Sequence, residues 1–256
     1  MTISLITPCL NAAETIVRTF DSVEEQGGSL HEHLVIDGGS TDGTVGPIEA
    51  YQARIGARLK WVSEPDRGIY DAMNKGLALA SGDWVLVLGA DDALEPGALA
   101  AVAHAAAANP GADLIYGDAY VLEPDGRRHL QSSMHGPRLA SGLPLEMPVC
   151  HQACAFSTRA CRQLGGFDLR YQIAADYDFY LRFHEEKLRS VRVPAPLATY
   201  SLEGVSSRLA VATARDYRDV RIAHGMPKAS AQLRMARSLV NVSAMRVLRK
   251  AGWARG

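Results

Sequence analysis

Asp83-Trp84-Val85-Leu86-Val87-Leu88-Gly89-Ala90-Asp91-Asp92 reads as a buried strand that emerges onto two adjacent carboxylates. An unbroken apolar run, rather than an alternating one, marks a central parallel strand covered on both faces. In open α/β sheets ligands collect at the carboxyl ends of such strands. Two neighbouring carboxylates repel, and a hard divalent cation relieves that repulsion while its other positions hold phosphate oxygens and water. A simpler use of Asp91 or Asp92 is as the cap of the helix announced by Glu95-Pro96 and the alanine-rich run to Ala108.

Outward from that strand, short β-like runs alternate with helical stretches, the pattern of a parallel sheet with right-handed crossovers. Strands are expected at Ile3 to Thr7, His33 to Ile36, Leu59 to Val62, Trp84 to Leu88 and Leu114 to Tyr116. Helices are expected over Ala13 to Glu25, Gly43 to Arg54, Tyr70 to Ala80 and Pro96 to Ala108. Beyond Tyr116 the pattern becomes antiparallel: Tyr120 to Leu122 and Arg127 to Leu130 flank an Asp125-Gly126 turn. Arg138 to Pro148 reads as a loop, Thr158 to Leu164 as a short helix stopped by Gly165-Gly166, and Asp176 and Asp178 open a helix to Glu186. The fold class is therefore α/β, with a mostly parallel mixed sheet flanked by helices.

The chain has 256 residues, 47% hydrophobic and 21% charged, with a net charge of −1, the composition of a globular protein. The charge is uneven. From Arg208 onward eleven Lys/Arg face only Asp216 and Asp219, so residues 208–256 form a basic helical extension to a body spanning 1–207. In that extension Leu233, Ala236, Val240, Ala244 and Val247 repeat at helical spacing. Such a stripe is expected to pack on the body, with a membrane surface as the functional alternative. There is no basic leader and no apolar stretch near the roughly twenty residues that a spanning helix needs, so a cytoplasmic location is expected, with peripheral contact at the inner membrane face through the basic helix. Nucleic-acid binding is not expected. Cys9, Cys150, Cys154 and Cys161 lack the paired spacing of a zinc knuckle and are read as buried thiols.

Several further segments end in chemistry-bearing residues. Asp37 follows the second strand and opens Gly38-Gly39-Ser40-Thr41-Asp42-Gly43-Thr44, where glycines allow close approach of backbone to a ligand and the aspartate suits the edge of a base such as uracil. Thr7-Pro8 with Asn11 could wall the same crevice. In Glu64 to Gly76, Asp71, Asn74 and Lys75 share one helical turn with Arg67 just ahead, a set suited to nucleotide and phosphate.

In this order the segments resemble the family 2 glycosyltransferases of the GT-A fold, a group of inverting, nucleotide-sugar-dependent enzymes. The likeness runs through Thr7-Pro8 and Asn11, Val35 to Thr44, Glu64 to Gly76, Gly82-Asp83 into Ala90-Asp91-Asp92, Gly165 to Asp168, Ala174 to Asp178, and Tyr200 with Gly204-Val205-Ser206. It implies a single Rossmann-like GT-A domain over 1–207, with a nucleotide-binding half (1–117) and an acceptor half (118–207). It also implies a nucleotide-sugar donor, a UDP-sugar above all, bound by Thr7, Pro8, Asn11, Asp37, Arg67, Asp71, Asn74, Lys75, Ala90 and Asp91. Mn²⁺ or Mg²⁺ would lie on Asp92 and Asp91, and Asp176 would be the general base, with Asp178 as the fallback. Two departures stand out: the usual Asp-x-Asp appears as Gly89-Ala90-Asp91-Asp92, and the usual Glu-Asp before the helix is Ala175-Asp176. Pro148, Cys150, His151 and Gln152 resemble a motif of enzymes for bacterial surface polysaccharide, with His151 a candidate contact to donor or acceptor. A glycan or lipid-linked acceptor follows from that resemblance. The rivals are a non-catalytic nucleotide-sugar-binding subunit and a sugar nucleotidyltransferase; Thr7 to Ala13 has no Lys or Arg for the latter's triphosphate.

Overall fold

The computed structural model describes residues 1–134, 147–201 and 210–250, with the side chains of residues 210 and 241–250 left out. The expected loop Arg138 to Pro148 lies mostly outside the described residues, as do Gly204-Val205-Ser206.

Four strands, β1 (Ile3–Cys9), β2 (Glu32–Asp37), β3 (Leu59–Ser63) and β4 (Trp84–Val87), form the parallel half of one sheet. Helices α1 (Ile16–Glu24), α2 (Val45–Ile55) and α3 (Ile69–Leu79) are the crossovers. After the short β5 (Ala93–Leu94) and α4 (Ala98–Ala108) come β6 (Leu114–Leu122), β7 (Arg128–Gln131) and β8 (Cys154–Ser157). Then follow α5 (Thr158–Leu164), α6 (Ala175–Glu185) and β9 (Ser190–Ser201), and finally α7 (Ala210–Ala223) and α8 (Lys228–Lys250). Among the described residues the sheet has nine strands in the order β3-β2-β1-β4-β8-β6-β9-β5, with β7 on β6.

The apolar runs explain the parallel half: β1, β2 and β4 are buried at every residue, so a continuous run, not an alternating one, is what burial on both faces selects. Beyond β4 the sheet turns mixed, because β8 enters antiparallel to both β4 and β6 while β9 lies parallel to β6. The expected break between Tyr116 and Tyr120 is a register irregularity inside one strand: β6 continues through Gly117, where an added Cβ would meet the Ala195 carbonyl oxygen at 2.5 Å. Gly126 takes φ +83° in the β6–β7 turn, as the Asp-Gly pair requires.

The extension meets the body through α7. Tyr217 stacks on Tyr177 of α6 at 4.9 Å between ring centroids, and Asp216 accepts the Ile173 amide at 2.7 Å. Helix α8 corrects the expected stripe: Leu233 and Val240 are 55% and 65% exposed and Ala236 is exposed. Ala231, Met235 and Leu239 are the inward row instead. Ala231, fully buried, lets α8 approach α7 closely, and Arg218 of α7 reaches the Met235 sulfur at 3.7 Å. Ala244 and Val247 have no described side chains.

Candidate active site

The loops after β1, β2, β3 and β4 meet at the carboxyl edge of the parallel half. Asn11, with φ +50°, turns the chain after β1; its side-chain oxygen accepts the Thr41 amide at 2.9 Å while its own amide donates to Ser40 Oγ at 2.7 Å. Asp42 accepts from the Ala13 amide and Thr44 Oγ1 from the Ala12 amide. The first two loops are thus laced into one wall.

Asp37 is wholly buried and already engaged. It accepts from the Gly39 and Ser40 amides, from Ser40 Oγ and, at 2.6 Å, from Ser63 Oγ. Burial alone would raise its carboxyl, but the Ser40 and Ser63 hydrogen bonds hold it below the usual range. Its carboxylate shapes the loop. The acidic group that closes over the glycine pair is Asp66: a Cβ on Gly38 would meet Asp66 Oδ2 at 2.5 Å and Leu10 at 3.4 Å. Asp66 is not among the residues expected to bind the donor, although it stands inside the Glu64 to Gly76 segment.

Other expected donor residues sort the same way. Thr7 is buried and its hydroxyl lies 2.8 Å from His33 Nε2; Pro8 is buried beside it. Asn74 clasps the backbone of Phe167, accepting its amide and donating to its carbonyl at 2.8 Å each. Arg67 and Lys75 stay at the mouth. Arg67 pairs with Asp71 at 2.8 Å, which holds the Asp71 carboxyl low, and Lys75 pairs with Glu64 at 2.8 Å.

The Gly89 to Asp92 turn is held from beneath by α1. Arg18 donates to the Asp91 carbonyl, and Thr19 Oγ1 donates to the Asp92 carbonyl at 2.7 Å. Further along, the Leu94 amide donates to Ser22 Oγ, and Gln26 bonds both the Glu95 carbonyl and the Leu99 amide. Ala90 is buried within this turn. Asp92 is 3% exposed; its Oδ1 accepts the Ser201 amide at 3.1 Å and its carboxylate also accepts from the Gln152 side chain. Burial and then the neighbouring Asp91 charge push its carboxyl up to about 7. Asp91 is the more exposed of the two.

Such a pair suits a cation shared with a ligand. Among the described residues no group of three His, Cys, Asp or Glu forms a protein-only cage, and Mg²⁺ typically takes one or two carboxylates with phosphate and water completing its shell. The four cysteines are free and buried.

Asp176 lies in the first turn of α6, half-buried. Tyr70 Oη is 3.1 Å from its Oδ1 and 2.7 Å from the Ile173 carbonyl. Asp178 points elsewhere: it is buried and paired with Arg182 at 2.8 Å and His224 at 3.0 Å, so its carboxylate is committed to holding α6 against α7.

The turn His151–Ala153 lies near both acidic residues. Gln152 bonds Asp92, and the buried Cys150 thiol, pushed up to about 12 chiefly by burial, feels the charges of both Asp92 and Asp176. Among the described residues, His151 Nε2 is buried without a hydrogen-bond partner. Burial lowers its pKa against the pull of Asp176.

The family description "Glycosyl transferase family 2" matches residues 4–165. A "PGL/p-HBAD biosynthesis glycosyltransferase" of Mycobacterium bovis (strain BCG / Pasteur 1173P2) is 36% identical over 180 residues, covering 70% of this chain and 68% of that relative. Among solved structures, S. aureus TarS 1-349 in complex with UDP-GlcNAc superposes with a TM-score of 0.71 at 19% identity, covering 93% of this chain and 72% of that one. The mannosyltransferase PcManGT of Pyrobaculum calidifontis, in complex with GDP-Man and Mn²⁺, gives 0.67 at 20% identity, covering 99% and 76%.

Proposed function

The chain belongs to glycosyl transferase family 2, and from that premise we propose that it moves a sugar, with inversion, from a UDP-sugar to a hydroxyl of a glycan or lipid-linked acceptor in cell-surface polysaccharide synthesis. The observation that supports this reading is the Cys150-His151-Gln152 segment: Gln152 bonds Asp92, and Cys150 lies near enough to both Asp92 and Asp176 to feel their charges. The relative named for PGL/p-HBAD biosynthesis supports a lipid or glycan acceptor, and the UDP-GlcNAc complex of TarS supports the uridine nucleotide.

The nucleobase lies against Gly38 and Gly39 with Asp66 at its edge, Asp37 acting through the loop it shapes. Arg67 and Lys75 leave their carboxylate partners to meet the diphosphate. Asp91, backed by Asp92, would hold Mn²⁺ or Mg²⁺, which would offset the charge of the leaving nucleoside diphosphate. The Mn²⁺ complex of PcManGT supports a divalent ion. The acceptor oxygen attacks the anomeric carbon as the bond to the diphosphate oxygen breaks. Asp176 takes the hydroxyl proton, a role worth about 10²- to 10⁴-fold in typical enzymes. A half-buried carboxylate at position 176 with no ion pair among the described residues favours this over a binding subunit.

We also assign the outward face of α8 to an anionic lipid surface. Leu233 and Val240 are exposed beside Arg234 and Arg237, and no acidic residue follows Asp219, the charge and apolar pairing that interfacial helices use. No helix among the described residues is long and apolar enough to cross a membrane. Flotation with phosphatidylglycerol vesicles tests this: Leu233→Glu/Val240→Glu should lose the binding, and equal flotation of both proteins would reject it.

The test of the reaction is a panel of UDP-GlcNAc, UDP-glucose, UDP-galactose, GDP-mannose and dTDP-rhamnose with Mn²⁺, assayed for slow hydrolysis. Release of nucleoside diphosphate from one of the UDP-sugars supports the proposal. Tight UDP binding with no release from any donor, with or without a polyprenyl-linked acceptor, would favour the non-catalytic subunit.

A further inference from the structure

Tyr70 and Asp176 stand 106 positions apart, one on the donor-side helix α3 and the other at the start of α6, and their side chains meet at 3.1 Å. Tyr70 is buried, its ring set against Phe167 at 5.5 Å between centroids. Its hydroxyl has one proton and two acceptors, the Ile173 carbonyl at 2.7 Å and Asp176 Oδ1 at 3.1 Å. The same Ile173 residue is anchored from the other side, its amide donating to Asp216 of α7. The segment that carries the carboxylate is therefore held from both flanks.

We infer that Tyr70 is a positioning residue for Asp176, whose single hydroxyl proton serves the carboxylate while it is charged and the Ile173 carbonyl once the carboxylate has been protonated. This rests on Asp176 being the base. In the charged state the hydroxyl donates to Asp176, the stronger acceptor. When Asp176 takes the proton of the acceptor hydroxyl on its other oxygen, Oδ1 becomes a weaker acceptor that keeps the Tyr177 amide at 2.8 Å, and the tyrosine proton turns to the Ile173 carbonyl. No proton leaves the pair, and both protonation states of Asp176 keep a hydrogen-bond partner. Burial and the Asp176 charge hold the phenol well above its ordinary pKa, so it stays a hydroxyl throughout.

The contact to Ile173 alone would make Tyr70 merely structural, so the test separates the two acceptors. Urea unfolding of wild type, Tyr70→Phe, Asp176→Ala and the double variant forms a double-mutant cycle that needs no substrate. Tyr70→Phe should shift the midpoint in the wild-type background by at least twice its shift in the Asp176→Ala background; equal shifts would overturn the inference. With the donor hydrolysed by wild type, Tyr70→Phe should lower kcat about tenfold through lost orientation of Asp176, and leave donor KM within about twofold. A raised KM with unchanged kcat would overturn it too. Full turnover by Asp176→Asn would instead reject Asp176 as base, whatever the cycle gives.

Discussion

His224 Nε2 lies 3.0 Å from Asp178 Oδ1 while its Nδ1 lies 2.7 Å from Glu185 Oε1, so an imidazole of the C-terminal extension is clamped between two carboxylates of α6, the helix that carries Asp176. Asp178, hydrogen-bonded first and Glu185 after it, raises the His224 pKa. A folded-state pKa above the unfolded value near 6.5 contributes stability that is complete below pH 6.5 and lost as pH rises through the folded value. His224→Ala should cost about 1–3 kcal/mol at pH 6 and markedly less at pH 9. The thermal midpoints of the two proteins across that range check this, and a gap independent of pH would refute the clamp.

A carboxylate at the amino end of β2 should show the reverse dependence. Glu32 is buried, and although burial would raise its carboxyl, hydrogen bonds from Lys60, Ser4 and Ser81 lower it to about 2. Its contribution is present above pH 4.5 and lost as pH falls from there through about 2. Glu32→Gln should cost on the order of 2 kcal/mol at neutral pH, a cost that shrinks under acid unfolding at pH 3.

The clasp between α3 and the turn after α5 should be sensitive to one methyl group. Gly166 takes φ +75° and a Cβ there would meet Asn74 Oδ1 at 2.5 Å. Both the conformation and the clash oppose alanine, so Gly166→Ala should destabilise by about 1–3 kcal/mol. Asn74→Ala, which unpairs the buried backbone of Phe167, should cost about as much. Urea midpoints that match wild type for both would show that the clasp carries no stability.

Removal of the metal should act through the ligand rather than the fold. UDP with Mn²⁺ should raise the thermal midpoint of the wild type, EDTA should abolish the rise, and Asp91→Asn should show none, because only binding to the folded state stabilises it. An Asp91→Asn protein stabilised as much as wild type would remove Asp91 from the metal site.

Much of this was legible in the residues themselves. The Val35-Ile36 and Val85 to Leu88 runs announce strands buried on both faces, and the glycine pairs at 38–39 and 165–166 announce the tight turns that are found. Side-chain duty was harder to read. Thr7, Asp37 and Asn74 carry the right chemistry for a ligand, and each also bonds His33, the loop amides or Phe167, partners that only the fold brings near. Arg18, Thr19 and Gln26 leave no motif because most of their hydrogen bonds in the site go to backbone carbonyls, which every residue has. In α8 the apolar positions admit two faces, and buried Ala231, not the larger Leu233, decides which one meets α7.

The most direct measurement is Asp176→Asn, assayed with the nucleotide sugar that the wild type turns over and titrated with UDP and Mn²⁺ by calorimetry. Turnover reduced by at least about 10²-fold with UDP affinity within about threefold of wild type is the expected result. Turnover close to wild type, or loss of UDP binding together with turnover, would contradict Asp176 as the group that takes the acceptor's proton.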